Sequence, residues 1–311
     1  MNTLAAHQSV LLKQAVDALA IKAGGFYVDA TFGRGGHSRA ILQQLDKNGQ
    51  LIAIDRDPEA VAFGKEEFAS DNRFEIIHDS FANLGKIMAA RDKLGKVDGI
   101  LLDLGVSSPQ LDIAERGFSF LRDGPLDMRM NTSSGISAGQ WIAETDEKDI
   151  AQVLWKYGEE RFSRRIAKAI VSERASQAIE TTHQLANIIE AAVPKKDKNK
   201  HPATRSFQAI RIEINNELDE IEQVLESSIE VLSAKGRLSV ISFHSLEDRI
   251  VKRFIRDQTR GQKIPREIPI TETQTGPLKG LSKGIKATED EIRNNPRARS
   301  AVLRIAEKRA I

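Results

Sequence analysis

Three carboxylates stand directly after short runs of β-forming residues: Asp29 after Phe26-Tyr27-Val28, Asp55 after Leu51-Ile52-Ala53-Ile54, and Asp103 after Ile100-Leu101-Leu102. The first leads into a glycine-rich stretch, Thr31-Phe32-Gly33-Arg34-Gly35-Gly36-His37-Ser38. Glycines there let backbone approach a bound ligand in conformations that a β-carbon blocks. Asp55 lies 20 residues beyond Gly35, the spacing at which a nucleotide-binding sheet places its ribose-reading carboxylate. Two cofactors use this geometry. A dinucleotide needs a third glycine so that its pyrophosphate can sit on a helix N-terminus, and that position holds Ser38. S-adenosylmethionine carries no phosphate and tolerates the serine. It wants an acidic residue on the first strand near its methionine end, and Asp29 is available. The sulfonium cofactor is favoured, with a tight turn and a solvated aspartate as the structural alternative.

The third carboxylate opens Asp103-Leu104-Gly105-Val106-Ser107-Ser108-Pro109-Gln110. In a doubly wound sheet this stretch walls the crevice where ligands bind. Methyltransferases acting on nucleobase amines usually carry a polar-Pro-Pro-aromatic turn here. Its polar side chain and a backbone carbonyl accept the amine hydrogens and localise charge on nitrogen as the methyl arrives. Ser108-Pro109-Gln110 has one proline fewer and no aromatic. A Ser-Pro turn that merely ends a strand competes with that reading. Asp103 is harder to dismiss, because a carboxylate after three apolar residues is expensive to bury without a partner.

The elements that must position these groups alternate. Strands are predicted at 26–32, 51–55, 74–78 and 99–104, with helices over 37–45 and 58–68, the second opening on Pro58. Such alternation argues for a parallel sheet with helices on both faces. The pattern breaks after Pro109, reads as loop over 116–140, and becomes helical from Ile150 to Ile189. A Lys-rich turn, 194–202, follows. One long amphipathic helix is then predicted from Phe207 to Leu232, ending at Lys235-Gly236. A fifth strand, 238–243, comes next, then a loop over 260–298 and a late edge strand at 299–306. The fold class is thus α/β, a doubly wound Rossmann-like sheet of the S-adenosylmethionine-dependent methyltransferase type with an inserted, mostly helical domain. Its segments are 1–115, 116–206 and 207–311.

With 40% hydrophobic residues among 311 and a net charge of +2, the chain can bury a core and is not predominantly disordered. No run approaches the length of a membrane span. The N-terminus lacks a basic stretch followed by a cleavable apolar one, and there are no cysteines. A cytoplasmic location is expected. The six histidines show no metal-ligand spacing, so no required metal is expected. Charge is segregated: residues 161–211 hold 11 Lys+Arg against 4 Asp+Glu, and residues 249–311 hold 16 against 7. Two basic blocks on an acidic remainder point to a polyanion partner, against the alternative of solvated faces.

Within those blocks, Arg161, Arg164, Arg165 and Lys168 fall on one side of a helix and suit an RNA backbone. His201-Pro202-Ala203-Thr204-Arg205 with Phe207 suits a phosphate clamp and a stacked base. A helix start capped by Thr204 or Ser206 is the competing reading. His244 either lines the crevice or sits hydrogen-bonded in the core. Asp127 and Arg129 either pair with each other or line the site.

These segments together resemble the bacterial ribosomal RNA small-subunit methyltransferase H family, also called MraW. The resemblance runs through 7–12, 31–38, 53–58, 98–110, 115–120, 124–130, 157–160, 201–205, 242–249 and 295–300. It implies methylation of the exocyclic N4 amine of a cytidine in 16S ribosomal RNA, within the small subunit and its decoding region. S-adenosylmethionine would be the cofactor, with no membrane association and with a homodimer left open. It assigns cofactor contacts to Gly35, Gly36, His37, Asp55, Phe81, Asp103 and Gln110, and gives the insert to RNA recognition. Asp103, Ser108 and Pro109 are the candidate catalytic residues. Arg161, Arg164, Arg165, His201 and Arg205 are the candidate RNA contacts. Two rivals remain: a nicotinamide-dependent oxidoreductase, and an RNA-binding assembly factor with a vestigial pocket.

Overall fold

A computed structural model describes residues 9–194, 201–260 and 275–310. His7 and Gln8, most of the Lys-rich turn and the first part of the 260–298 loop lie outside the described residues. The chain divides into two compact units, residues 1–105 with 218–311, and residues 106–217. The breaks thus fall at 106 and 218, against the sequence-based expectation of 116 and 207.

In the first unit the order is α1 (Leu12–Ala18), β1 (Phe26–Asp29), α2 (Gly36–Leu42), β2 (Gln50–Asp55), α3 (Pro58–Glu67), β3 (Phe74–His78), α4 (Leu84–Ala89) and β4 (Val97–Asp103). The second unit contains α5 (Ser108–Asp112), α6 (Ala138–Glu144), α7 (Glu147–Gly158), α8 (Ser163–Arg174), α9 (Thr182–Ala192) and α10 (Ala203–Asn215). The chain continues with α11 (Glu217–Val231), β5 (Leu232–Ser242), α12 (Ser245–Arg260), β6 (Leu278–Gly280), β7 (Ile285–Lys286), α13 (Glu289–Asn294) and β8 (Val302–Lys308).

The sheet order is β3-β2-β1-β4-β5-β8-β6, with β7 also paired to β8. β3, β2, β1, β4 and β5 run parallel, and β8 runs antiparallel to β5. Successive residues of each strand feed opposite cores, as a two-residue period requires. Val28, Ile52, Ile100, Leu102 and Val240 pack with α4, α11 and α12 on one face. Tyr27, Leu51, Leu101, Ile241 and Leu303 pack with α1 and α2 on the other. Both faces are therefore covered, which is why the strands read as near-continuous apolar runs. Each fully buried leucine or isoleucine contributes about 1.5–3 kcal/mol relative to exposure.

Three expectations are corrected. The run 207–232 is two helices, because Asn216 takes a left-handed φ of 52° and ends α10. Phe207 and Ile210 belong to the second unit's core, whereas Ile221, Val224 and Leu225 belong to the sheet core. The last strand is no edge: β8 is flanked by β5 on one side and by β6 and β7 on the other. The loop expected over 260–298 contains β6, β7 and α13 in its described part.

Candidate active site

Three strand ends bring their carboxylates to one rim of the first unit, at the carboxyl ends of the parallel strands where such sheets bind ligands. Asp29 closes β1 and is fully buried. Its Oδ2 accepts the Ser38 hydroxyl at 2.7 Å and its Oδ1 the Thr31 amide at 3.2 Å. Burial pushes this carboxyl up to about 6, against the pull of those hydrogen bonds. Asp55 closes β2 and pins the glycine loop: Oδ2 accepts the Gly33 amide and Oδ1 the Asp57 amide, both at 2.8 Å. Burial pushes it too up to about 6, with the neighbouring charges of Asp57 and Asp29 adding and the two amides opposing.

Asp103 ends β4, its amide donating to Thr31 Oγ1 at 2.6 Å. Its Oδ1 is buried and accepts no hydrogen bond among the described residues. Burial, then the charges of Asp29 and Glu247, hold its carboxyl well above the usual range. Across from it, His37 Nδ1 stands 3.6 Å from Asp103 Oδ2. Burial lowers the imidazole to about 4, so the ring is neutral and the contact is not an ion pair.

The glycines have structural duties of their own. Gly33 and Gly35 adopt left-handed φ of 56° and 69°. A β-carbon on Gly35 would lie 2.8 Å from the Phe32 ring and 2.9 Å from Phe68, and one on Gly36 would lie 2.0 Å from Ser9 Oγ. Their smallness thus admits the Phe32, Phe68 and Phe74 ring cluster and the N-terminal segment. Phe81 follows β3 in a short turn capped by Ser80 and packs, half-buried, against the sheet core. Two positioning groups lacked a sequence-level role. Thr31 ties the loop to β4. Glu247, fully buried in the first turn of α12, accepts the amides of Phe243 at 2.7 Å and His244 at 3.1 Å. His244 is itself engaged, its Nδ1 accepting the Glu247 amide at 3.4 Å.

Ser108, Pro109 and Gln110 lie in the second unit. They form the start of α5 rather than a turn: Pro109 occupies the first helical turn and its carbonyl accepts the Ile113 amide at 2.9 Å. Gln110 is buried and folds back, Oε1 accepting the Ser107 amide at 3.0 Å. Asp127 and Arg129 pair bidentately at 2.7 and 2.8 Å. Burial raises the Asp127 carboxyl, but Arg129 outweighs it and the net shift is downward.

In the same unit Arg164 and Arg165 are exposed on the first turn of α8, and Arg161 is exposed just before it. Gly158, the last residue of α7, backs onto α10: a β-carbon there would lie 2.8 Å from the Arg205 carbonyl. The Gln208 amide reaches the Tyr157 carbonyl at 3.3 Å, so the backbone at Arg205 packs against the end of α7. His201 is committed to the fold. Its ring stacks on Phe120 at 4.6 Å, and Nδ1 accepts the Ala203 amide at 3.2 Å. α10 starts at Ala203 with Pro202 at the N-cap and no side-chain cap, so neither Thr204 nor Ser206 caps it as the competing reading had it. Phe207 is buried against Phe120 and cannot stack on a base.

Residues 4–309 match the MraW methylase family. The chain belongs to that family. Among solved structures, the methylase is similar to a putative rRNA-methylase from Clostridium thermocellum at 14% identity over 97% of this chain and 99% of that one, TM-score 0.46. It is similar to an rRNA methylase from Streptococcus thermophilus at 13% identity over 98% and 100%, TM-score 0.42. A putative methyltransferase from Streptococcus mutans in complex with SAH matches at 11% identity over 97% and 99%, TM-score 0.43. The methylase takes its methyl from S-adenosylmethionine, and its residues suit that cofactor. The buried Asp103 oxygen that accepts no hydrogen bond among the described residues, close to the charge of Asp29, suits a cation better than a phosphate. No helix among the described residues is long and apolar enough to cross a membrane.

Proposed function

We propose that the protein methylates the exocyclic N4 amine of a cytidine in 16S ribosomal RNA of the small subunit. The observation that carries this reading is Asp103, a carboxylate at the carboxyl end of β4 whose buried Oδ1 has no hydrogen-bond partner among the described residues, four residues before the Ser107-Ser108-Pro109-Gln110 start of α5. When bound, the sulfonium supplies an electrophilic methyl group. Asp55 holds the ribose hydroxyls while its two backbone contacts keep the loop in place. Phe81 flanks the adenine, and Gly35, Gly36 and His37 form the floor. Asp103 accepts the cationic amino-acid end, and Gln110 supplies a further cofactor contact. The Ser108 hydroxyl and the second lone pair of the Pro109 carbonyl accept the amine hydrogens. No strong base is required before attack, because the N–H becomes acidic only as nitrogen gains the methyl. Arg161, Arg164, Arg165 and Arg205 follow the RNA backbone. His201 acts there mainly by holding the start of α10.

The test is transfer of tritium from labelled S-adenosylmethionine to small-subunit RNA, followed by nuclease digestion and mass spectrometry. The expected product is a single N4-methylated cytidine. Absence of counts in RNA would favour a pure RNA-binding factor, and methyl on another atom would refute the amine assignment.

A further inference from the structure

α12 leaves the carboxyl end of β5 and carries a one-sided charge. Its buried residues, Leu246, Glu247, Val251 and Ile255, face the sheet. Its exposed residues are Ser245, Arg249, Lys252, Arg253, Arg256, Asp257 and Arg260. Five of these seven are cations, spaced three or four apart along about 16 Å of helix. Glu247 is buried and Asp248 is held bidentately by Arg304 at 2.7 and 3.0 Å, so neither offsets them, whereas Asp257 pairs with Arg256 at 2.8 Å.

Helix chemistry does not account for the stripe. Cations complement the dipole only in the last turn, which covers Arg260 and at most Arg256. Arg249 and Arg253, Lys252 and Arg256, and Arg256 and Arg260 are like charges four apart, an arrangement that destabilises an isolated helix. The helix also starts close to the end of β4: a β-carbon on Gly105, two residues after Asp103, would lie 3.8 Å from Oε1 of Glu247, which stands two residues before Arg249. We infer that Lys252, Arg253 and Arg260 of α12, with Arg249 and Arg256 beside them, carry the phosphate backbone of the single-stranded RNA flanking the target nucleotide. This rests on the RNA reading above and adds a contact surface on the catalytic unit itself.

The test is the triple variant Lys252→Gln, Arg253→Gln, Arg260→Gln, whose three side chains are exposed and whose loss leaves the core intact. Binding to a small-subunit RNA fragment is measured by anisotropy across salt concentrations. For single strands each phosphate contact contributes about 0.7 to the slope of log K against log salt, so the slope should fall by about 2. The KM for RNA should rise about tenfold or more. S-adenosylmethionine affinity by calorimetry should not change, which also reports that the fold persists. An unchanged slope and KM, with wild-type protein still methylating RNA, overturns this inference and leaves the RNA reading standing. Wild-type protein that transfers no methyl to RNA overturns both. Loss of binding to phosphatidylserine vesicles with the RNA slope intact assigns the stripe to a lipid surface and overturns it as well.

Discussion

His37 Nδ1 faces Asp103 Oδ2 at 3.6 Å, and burial disfavours charge on both groups. A pair that would ionise in water meets here as a neutral imidazole and a carboxyl reluctant to lose its proton. The first unit therefore keeps poorly compensated acidity at its rim, and a bound cation relieves it.

Cofactor affinity should depend on pH. Asp29 and Asp55 sit at about 6, so both are largely protonated at pH 5 and ionised at pH 8. A sulfonium cation favours their ionised forms, so binding releases protons. Affinity should rise by up to about tenfold per pH unit for each proton released between pH 5 and 6.5, then level off. Calorimetry in buffers of different ionisation enthalpy measures the proton count. A flat profile would show that cofactor binding is not coupled to the ionisation of these carboxylates.

The same shifts set the stability of the ligand-free protein. The folded-state values of Asp29 and Asp55 are raised from 3.8 to about 6. Their contribution is fully present below pH 3.8 and is lost as pH rises through 6. His37 is lowered from 6.5 to about 4, so its contribution is present above 6.5 and lost as pH falls through 4. Denaturation midpoints of Asp29→Asn protein should fall less than wild type between pH 5 and 7.

Asp55→Ala should weaken S-adenosylmethionine binding about tenfold to a hundredfold, since it removes the ribose acceptor and two charge-assisted loop contacts. Asp103→Ala should suppress turnover in the tritium assay. Unchanged cofactor affinity in both variants would sink the site assignment.

Glu247→Ala leaves the Phe243 and His244 amides without their buried acceptor and should cost about 2–4 kcal/mol in urea denaturation. Glu247→Gln keeps one acceptor and removes the charge that bears on Asp103, so it should lose less stability. Equal losses in the two variants would contradict the acceptor role.

The junction of α10 and α11 turns on a single left-handed residue. Asn216→Ala should destabilise by about 1 kcal/mol and Asn216→Gly by nothing measurable. A continuous helix through 216 would give the reverse order, with alanine the more stable.

The strands were legible because both faces of the sheet are covered, so Leu51–Ile54 and Ile100–Leu102 read as unbroken apolar runs ending on a carboxylate. The same apolar rhythm concealed the break at Asn216. Spacing of three and four residues continues from Ile214 to Leu218 although the two halves serve different cores. Asn-Asn was the one local sign. The partners of β8 were hidden because strand order depends on contacts with residues far along the chain. The candidate carboxylates Asp29, Asp55 and Asp103 stood out by position. The neutrality of His37 and the roles of Thr31 and Glu247 depend on neighbours far along the chain, 72 residues from Thr31 to Asp103 and 144 from Asp103 to Glu247.

β4 and β5 are adjacent and parallel, yet residues 104–231, the whole second unit and α11, separate them in sequence. A chain emerging from the ribosome exposes the free edge of β4 throughout synthesis of the second unit. Closing so long a connection while it is unfolded costs more loop entropy than closing a folded one. The nascent protein is most open to aggregation in that interval. Truncations ending before β5 should be the ones that recruit chaperones.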